Sequence, residues 1–363
     1  MKKRAWILYL VLAAALLAVV VFARGRIHFN WGVFVQQLKL ANWSLIGFGA
    51  ALIFLGYFVR AVRWVVFLKP ACKIPVFSRN WFGVLGAQII GYTGVALLGR
   101  PADLVRPYLV ARRVKLPLSS QLAVYVVERM FDMGAMALIF STALYFAPDR
   151  ATLPHPEALR HIALVGLAGT AALAVLATAI RVSGEAVASL SERILGKLSK
   201  TLARSVSEKI SAFRSGLDML GSMRDVVSAL LLSLLMWGMI TVAYLETIRA
   251  FVDSPPLHNI TLARCLVLMA AGMASSVVQL PVVGWFTQIG VLAIAMGELF
   301  GAAKEPALGC AAVLLIVTFL CVIPVGLVWA RIDQVSLRKL SEESGAEGAH
   351  PLAAAEPASQ PQV

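Results

Sequence analysis

The chain has 363 residues, of which 60% are hydrophobic and 14% charged, with a mean hydropathy of +0.81 and a formal net charge of +14. An apolar share this far above the roughly 45–50% of soluble domains excludes a water-soluble globular body, because the excess must face lipid. The positive charge would point to nucleic acid in a soluble protein, but here it sits between apolar stretches, where it sets membrane topology, and no nucleic-acid partner is expected.

A membrane-crossing helix needs about 20 mostly apolar residues. Trp6–Phe22, which follows Lys2, Lys3 and Arg4, is the first such stretch. It reads as a retained helix rather than a signal peptide, since the run is long and Phe22-Ala23-Arg24-Gly25-Arg26 is a poor cleavage site. Lysine and arginine concentrate in cytoplasmic loops, so the amino terminus is expected inside. Ser44–Leu68 then runs inward and ends among Arg60, Arg63, Lys69, Lys73 and Arg79.

The next apolar run, Phe82–Leu98, is short and interrupted by Gly83, Gly86, Gly91 and Gly94. A full crossing would place Arg100, Arg106, Arg112, Arg113 and Lys115 outside against a single Asp103, contrary to the charge rule. A broken, re-entrant hairpin opening to the cytoplasm is predicted instead, with irregular backbone shielded by protein or a wet cavity. Leu118–Phe146 crosses outward, Ala147–His161 forms an outer loop, and Ile162–Ile180 returns. Arg181–Arg224 carries eight basic and four acidic residues with apolar positions near helical spacing. It reads either as an amphipathic helix on the anionic lipids of the inner leaflet or as a solvated linker helix. Val226–Ile248 crosses outward, Leu262–Leu299 is a second interrupted stretch, and Ala307–Ala330 returns to Arg331, Arg338 and Lys339. The final Ser341–Val363 has the composition of a disordered tail.

The predicted fold class is therefore an all-α polytopic membrane protein with about six full spans plus two broken or re-entrant helical hairpins. Its transmembrane domain covers residues 1–335, with a first repeat over 44–146, a linker over 181–224 and a second repeat over 225–330; a cytoplasmic tail follows over 336–363. Each repeat reads helix, broken hairpin, helix, in opposite orientation, which is a transporter-like plan. A multi-pass protein of a bacterial inner membrane with both termini in the cytoplasm is expected.

Four cysteines, Cys72, Cys265, Cys310 and Cys321, lie far apart without CxxC spacing, and the histidines are scattered. Neither a metal site nor any cofactor is expected. The chain has no GxxxxGK[ST], HExxH or GxSxG pattern, so no enzyme is expected.

The residues that invite a function lie inside the apolar stretches. Glu128 and Asp132 share one helical face, with Arg129 placed to pair with Asp132. Glu128 sits ten residues past Leu118, roughly 15 Å of helical rise into the bilayer. Each such charge costs about 2.5–3.5 kcal/mol at a helix centre unless it faces protein or water. The cluster is either a transport site or a structural ion-pair network. Candidate partners are Arg60 and Arg63, together with Arg100, Asp103 and Arg106. Arg63 and Trp64 also fit ordinary interfacial anchors, whereas Arg60 is deeper. Arg100 and Arg106 have a spacing suited to an anionic head group. In the second hairpin Pro281 and Gly284 break the helix before Gln288; the restart could receive an anion, or it is an ordinary tight turn.

Taken together, Arg60-Ala61-Val62-Arg63-Trp64, Gly99-Arg100 through Asp103 to Arg106, Glu128-Arg129-Met130-Phe131-Asp132 and the Pro281–Gln288 turn resemble one family. It is the transmembrane, flippase-like region of lysylphosphatidylglycerol synthases, also found as stand-alone membrane proteins, and the similarity covers about residues 1–335. The resemblance implies translocation or export of a membrane lipid, whether phospholipid, hopanoid-like lipid or lipid-linked glycan. Lysyl transfer is not implied, because the soluble aminoacyl-transferase domain is missing. Gln288 stands where the family commonly has Glu, and Leu98–Asp103 departs from its Pro-x-Arg-x-Gly-Glu pattern. A non-transporting scaffold for lipid or envelope synthesis is the alternative reading. An intramembrane enzyme using Glu128 and Asp132 ranks third, because no nucleophile or metal set accompanies them.

Overall fold

The structure is a computed structural model, and it describes residues 30–149, 153, 156–195, 222–275 and 283–334. The expected first helix, the linker beyond residue 195, the Pro281 turn and the tail lie outside these residues. Among the described residues the regular structure is entirely helical. In chain order it runs α1 (Trp31–Leu40), α2 (Trp43–Leu68), α3 (Arg79–Leu98), a 3₁₀ turn (Arg100–Leu104), α4 (Val105–Val114), α5 (Leu118–Tyr145) and α6 (Pro156–Leu195). It continues with α7 (Met223–Arg249), a single turn at Pro255–His258, α8 (Leu262–Ser275), α9 (Val283–Phe300), α10 (Lys304–Leu315), a π turn (Ile316–Leu320) and α11 (Val322–Ile332).

Among the described residues, four helical stretches are long and apolar enough to cross a membrane: α2, α3, α7 and the continuous Lys304–Ile332. Their starts follow from local chemistry. Asn42 accepts hydrogen bonds from Ser44 N and Leu45 N to open α2, Ser78 accepts from Trp81 N to open α3, and Ser222 accepts from Asp225 N to open α7. The π turn lies immediately before Pro324, whose ring would clash with a regular carbonyl four residues back; Cys321 N instead bonds Ile316 O at 2.8 Å.

The first hairpin differs in detail from its sequence reading. Phe82–Leu98 is not broken at its glycines, because α3 runs unbroken from Arg79 to Leu98. The chain turns at Gly99, whose φ of 78° and ψ of −162° lie in a region that belongs to glycine. The 3₁₀ turn and α4 then run back along α3, so Gly94 faces Ala102, Gly91 faces Arg106 and Gly83 faces Arg113. The interior glycines are therefore close-approach positions. A methyl at Gly91 would lie 1.9 Å from Arg106 Cγ.

A second difference concerns α6, expected to end near Ile180. It continues as one 40-residue helix to Leu195, roughly 60 Å of rise, about twice the hydrocarbon thickness. The segment from Arg181 to Leu195 contains no proline and one glycine, Gly184, so nothing local stops the helix.

Helices α2 and α7 lie antiparallel along their lengths. Lys69 Nζ bonds Asp225 Oδ1 at 2.7 Å at one end, Arg63 bonds Ser233 further in, and a methyl at Gly49 would lie 2.6 Å from Thr247 Oγ1 near the other. Helices α3 and α11 are likewise antiparallel, with Thr93 Oγ1 donating to Val322 O at 3.2 Å and Gly86 against the Trp329 indole. One apolar core gathers around α7, α8 and α10; another, around Trp64, Trp81, Ile90 and Val110, packs the α3–α4 hairpin against α2 and α5.

A buried charge cluster as the candidate functional site

Glu128 and Asp132, one turn apart on α5, point at the part of α2 that carries Arg63. The Arg63 guanidinium bridges them: Nη2 donates to Glu128 Oε1 at 2.7 Å, and Nη1 donates to Asp132 Oδ1 at 2.5 Å and to Ser233 Oγ at 2.6 Å. Arg106, carried inward by α4, donates from Nη1 to Glu128 Oε2 and to Gln88 Oε1, both at 3.1 Å. Arg129 completes the cluster, with Nη2 3.3 Å from Asp132 Oδ2 and 3.6 Å from Glu128 Oε2. Arg63, Arg106 and Glu128 have no exposed surface and Asp132 keeps 4%. Charges removed from water to this degree persist only when paired.

Aromatic rings form the rest of the wall. The Arg106 guanidinium carbon lies 4.5 Å from the Tyr92 ring centre, 5.2 Å from that of Tyr125 and 5.9 Å from that of Trp64. Arg60 sits 4.7 Å from the Tyr92 ring and donates to the Tyr92 hydroxyl, which also accepts from Arg129 Nη2 at 3.3 Å. These contacts let a ring quadrupole stabilise a cation where no further carboxylate is available.

The pairing is incomplete. Four guanidinium groups, Arg60, Arg63, Arg106 and Arg129, act on or beside Glu128, while Asp132 and the half-buried Asp103 are the other acids in electrostatic reach of this cluster. Among the described residues, several buried donors have no hydrogen-bond acceptor: Nε of Arg63, Arg106 and Arg129, Nη2 of Arg106, and Nε2 of Gln88. A low-dielectric site with surplus positive charge and unfilled donors favours an incoming anion with several acceptor oxygens.

The sequence reading ranked two partners in the wrong order. Arg63 and Trp64 fitted membrane-interface anchors, yet both are fully buried, and Trp64 Nε1 donates to Gln121 Oε1 at 3.1 Å. Arg60, expected to be the deeper partner, is held by Tyr92 and reaches Glu128 only through its field. Three residues along a helix leave the two arginines only about 60° apart around its axis, so the difference lies in their partners: Arg63 meets the carboxylates of α5, and Arg60 meets Tyr92 of α3. Arg106 turns into the protein and pairs with Glu128. The backbone of Arg100 lies in the 3₁₀ turn, but its side chain is outside the described atoms.

The second-hairpin candidates gather elsewhere. Gly284 is buried in the first turn of α9, and Gln288 lies with Thr318 of the π turn in hydrogen-bonding reach of the Tyr244 hydroxyl. Pro281 is outside the described residues. Among the described residues, no group of three or more His, Cys, Asp or Glu is placed to hold a metal ion. Gln88, Tyr92, Tyr125 and Ser233 were not singled out by sequence. Their available signal was a polar or phenolic side chain within an otherwise apolar helical stretch.

No curated protein and no solved structure matches the chain. A family model does: the lysylphosphatidylglycerol synthase TM region matches residues 6–326. Its span includes every residue of the charge cluster, and the chain belongs to the family of the lysylphosphatidylglycerol synthase transmembrane region.

Proposed function

We propose that the protein moves a lipid with an anionic head group between leaflets, and that the cluster around Arg63, Arg106, Glu128 and Asp132 receives that head group. The observation carrying this reading is the surplus of buried guanidinium donors over their acids. Glu128 and Asp132 compete with the head group for the same guanidinium groups, so binding stays reversible. The family is named after enzymes of a phospholipid, which supports a phospholipid as cargo.

The repeated order of helix, hairpin, helix supports two inverted halves. The first is α2, α3 with α4, and α5; the second is α7, α8 with α9, and α10 with α11. The antiparallel pairings of α2 with α7 and α3 with α11 fit a pseudo-two-fold axis in the membrane plane. In this reading Lys69, Lys73, Arg79, Arg112 and Arg113 face the cytoplasm of a bacterial inner membrane, and both termini lie on that side.

The test is transbilayer exchange of dithionite-reducible phosphatidylglycerol and phosphatidylcholine in liposomes containing the full chain. Wild type should accelerate exchange, more so for the anionic lipid. Glu128→Gln keeps nearly the same volume but removes a competitor, so the head group is held too long and turnover drops about tenfold or more, the scale of one charge-assisted hydrogen bond. No acceleration with anionic, zwitterionic and isoprenoid-linked lipids would remove the proposal. The alternative, a non-transporting scaffold, is favoured by the complete burial of Arg63, Arg106 and Glu128; it requires normal complex assembly and no exchange activity.

A further inference from the structure

A second basic site lies at the end of the bundle that carries Lys69 and Arg79, apart from the Glu128 cluster. Here α3, α4 and the residues just after α11 border a half-open cavity of about 260 Å³. Its floor is apolar, made by Ala87, Ile90 and Leu109, and its rim carries Arg112 and Arg113, with Asp333 and Gln334 closing one side.

The rim is built for Arg113. A methyl at Gly83 would lie 2.1 Å from Arg113 Nε and 2.9 Å from its Cγ and Cζ, so the absence of a side chain lets Arg113 lie across α3. The one acid in the lining, Asp333, stands at the outer limit of pairing, with Oδ1 4.0 Å from Arg113 Nη2. Arg112 is exposed and makes no hydrogen bond or ion pair among the described residues. Two guanidinium groups above an apolar floor, with one distant carboxylate, leave the cavity a net cation.

We infer that this cavity binds the phosphodiester head group of an anionic phospholipid from the adjoining leaflet. Guanidinium forks match phosphate oxygens better than any other side chain, and basic pockets between transmembrane helices are suited to anionic head groups. A free phosphate would satisfy the two arginines equally; the Ala87, Ile90 and Leu109 floor favours a phosphate that brings glycerol and the first methylenes of its chains. The site shares no residue with the cluster assigned to translocation, so the two can fail independently.

The full chain in neutral detergent is titrated with phosphatidylglycerol, phosphatidylcholine or inorganic phosphate, and binding is read by native mass spectrometry and thermal midpoint. A photo-crosslinking residue at the exposed Gln334 position reports occupancy of this cavity alone. Phosphatidylglycerol should bind, raise the midpoint and crosslink, while phosphatidylcholine should do so weakly. Arg112→Gln with Arg113→Gln should weaken phosphatidylglycerol binding about tenfold or more and abolish the crosslink. If the double variant fails to fold, Arg112→Gln alone, which breaks no pair, should still reduce both signals. Undiminished crosslinking in either folded variant overturns the site. An equal midpoint shift from inorganic phosphate without a lipid crosslink overturns the lipid assignment.

Discussion

At the scale of single residues, burial decides what a charge does. Arg63 and Lys69 are six positions apart on and just after α2, and both pair with carboxylates at 2.7 Å. Arg63 is sealed off and serves two acids, whereas the Lys69 side chain is half exposed. Exposed pairs contribute about 0–1 kcal/mol, but removing one partner of a buried pair costs about 3–5 kcal/mol because a charge is left stranded. Arg63→Gln should therefore produce a large fall in the thermal midpoint in detergent, or loss of expression, while Lys69→Ala should lower it far less, because Asp225 keeps its hydrogen bond from Ser222 Oγ. Equal small shifts would mean that water reaches the cluster. The sequence made Glu128, Arg129 and Asp132 visible because charges within an apolar run have few explanations. It left Arg63 and Arg60 confused because the face of α2 that meets α5 depends on packing against Trp64, Trp81 and α7, which no single-helix pattern records.

At the scale of elements, the chain reversal after Leu98 agrees with the charge bias, and the expected breaks at glycines do not occur. The bias required the segment after Leu98 to return to the side it came from, and α4 does run back along α3 until Arg113 lies at Gly83. The same reading placed breaks within Phe82–Leu98, where the structure has an unbroken helix. Sequence alone does not separate a glycine that bends the chain, such as Gly99, from one that admits a neighbour, such as Gly91; the neighbour comes from a distant part of the chain. The π turn before Pro324 and the long continuation of α6 were also unread, since a proline, or the lack of one, fixes possibilities rather than geometry. If the hairpin is re-entrant, Lys73→Cys before α3 and Lys115→Cys after α4, both exposed, should react with an impermeant maleimide from the same side of the membrane. The part-exposed Cys72 and Cys321 are first replaced. Labelling from opposite sides would make α3 a full crossing and remove the first half of the inverted plan.

At the scale of the whole molecule, a head group can reach Glu128 only if something opens, because Arg63, Arg106 and Glu128 are closed to solvent. Within the first half the cluster is tied by several ion pairs linking α2, α4 and α5. Across to α7 the polar ties among the described residues are fewer: Arg63 to Ser233 at 2.6 Å, and the half-exposed Lys69 to Asp225. Antiparallel helices packed through small and apolar side chains can rock or slide with less loss than a buried ion-pair network can be pulled apart. The α2–α7 seam is therefore the expected opening, with Lys69 and Asp225 at its mouth. Replacing both with cysteine and joining them with a short cleavable bismaleimide should reduce lipid exchange in liposomes to the protein-free rate, and cleavage of the linker should restore it. The unlinked double variant should remain active, because both charges of the pair are removed together and neither is left stranded. Exchange that continues at full rate in the linked protein would show that the two helices stay together during transport, and the path would then have to open between α5 and its other neighbours.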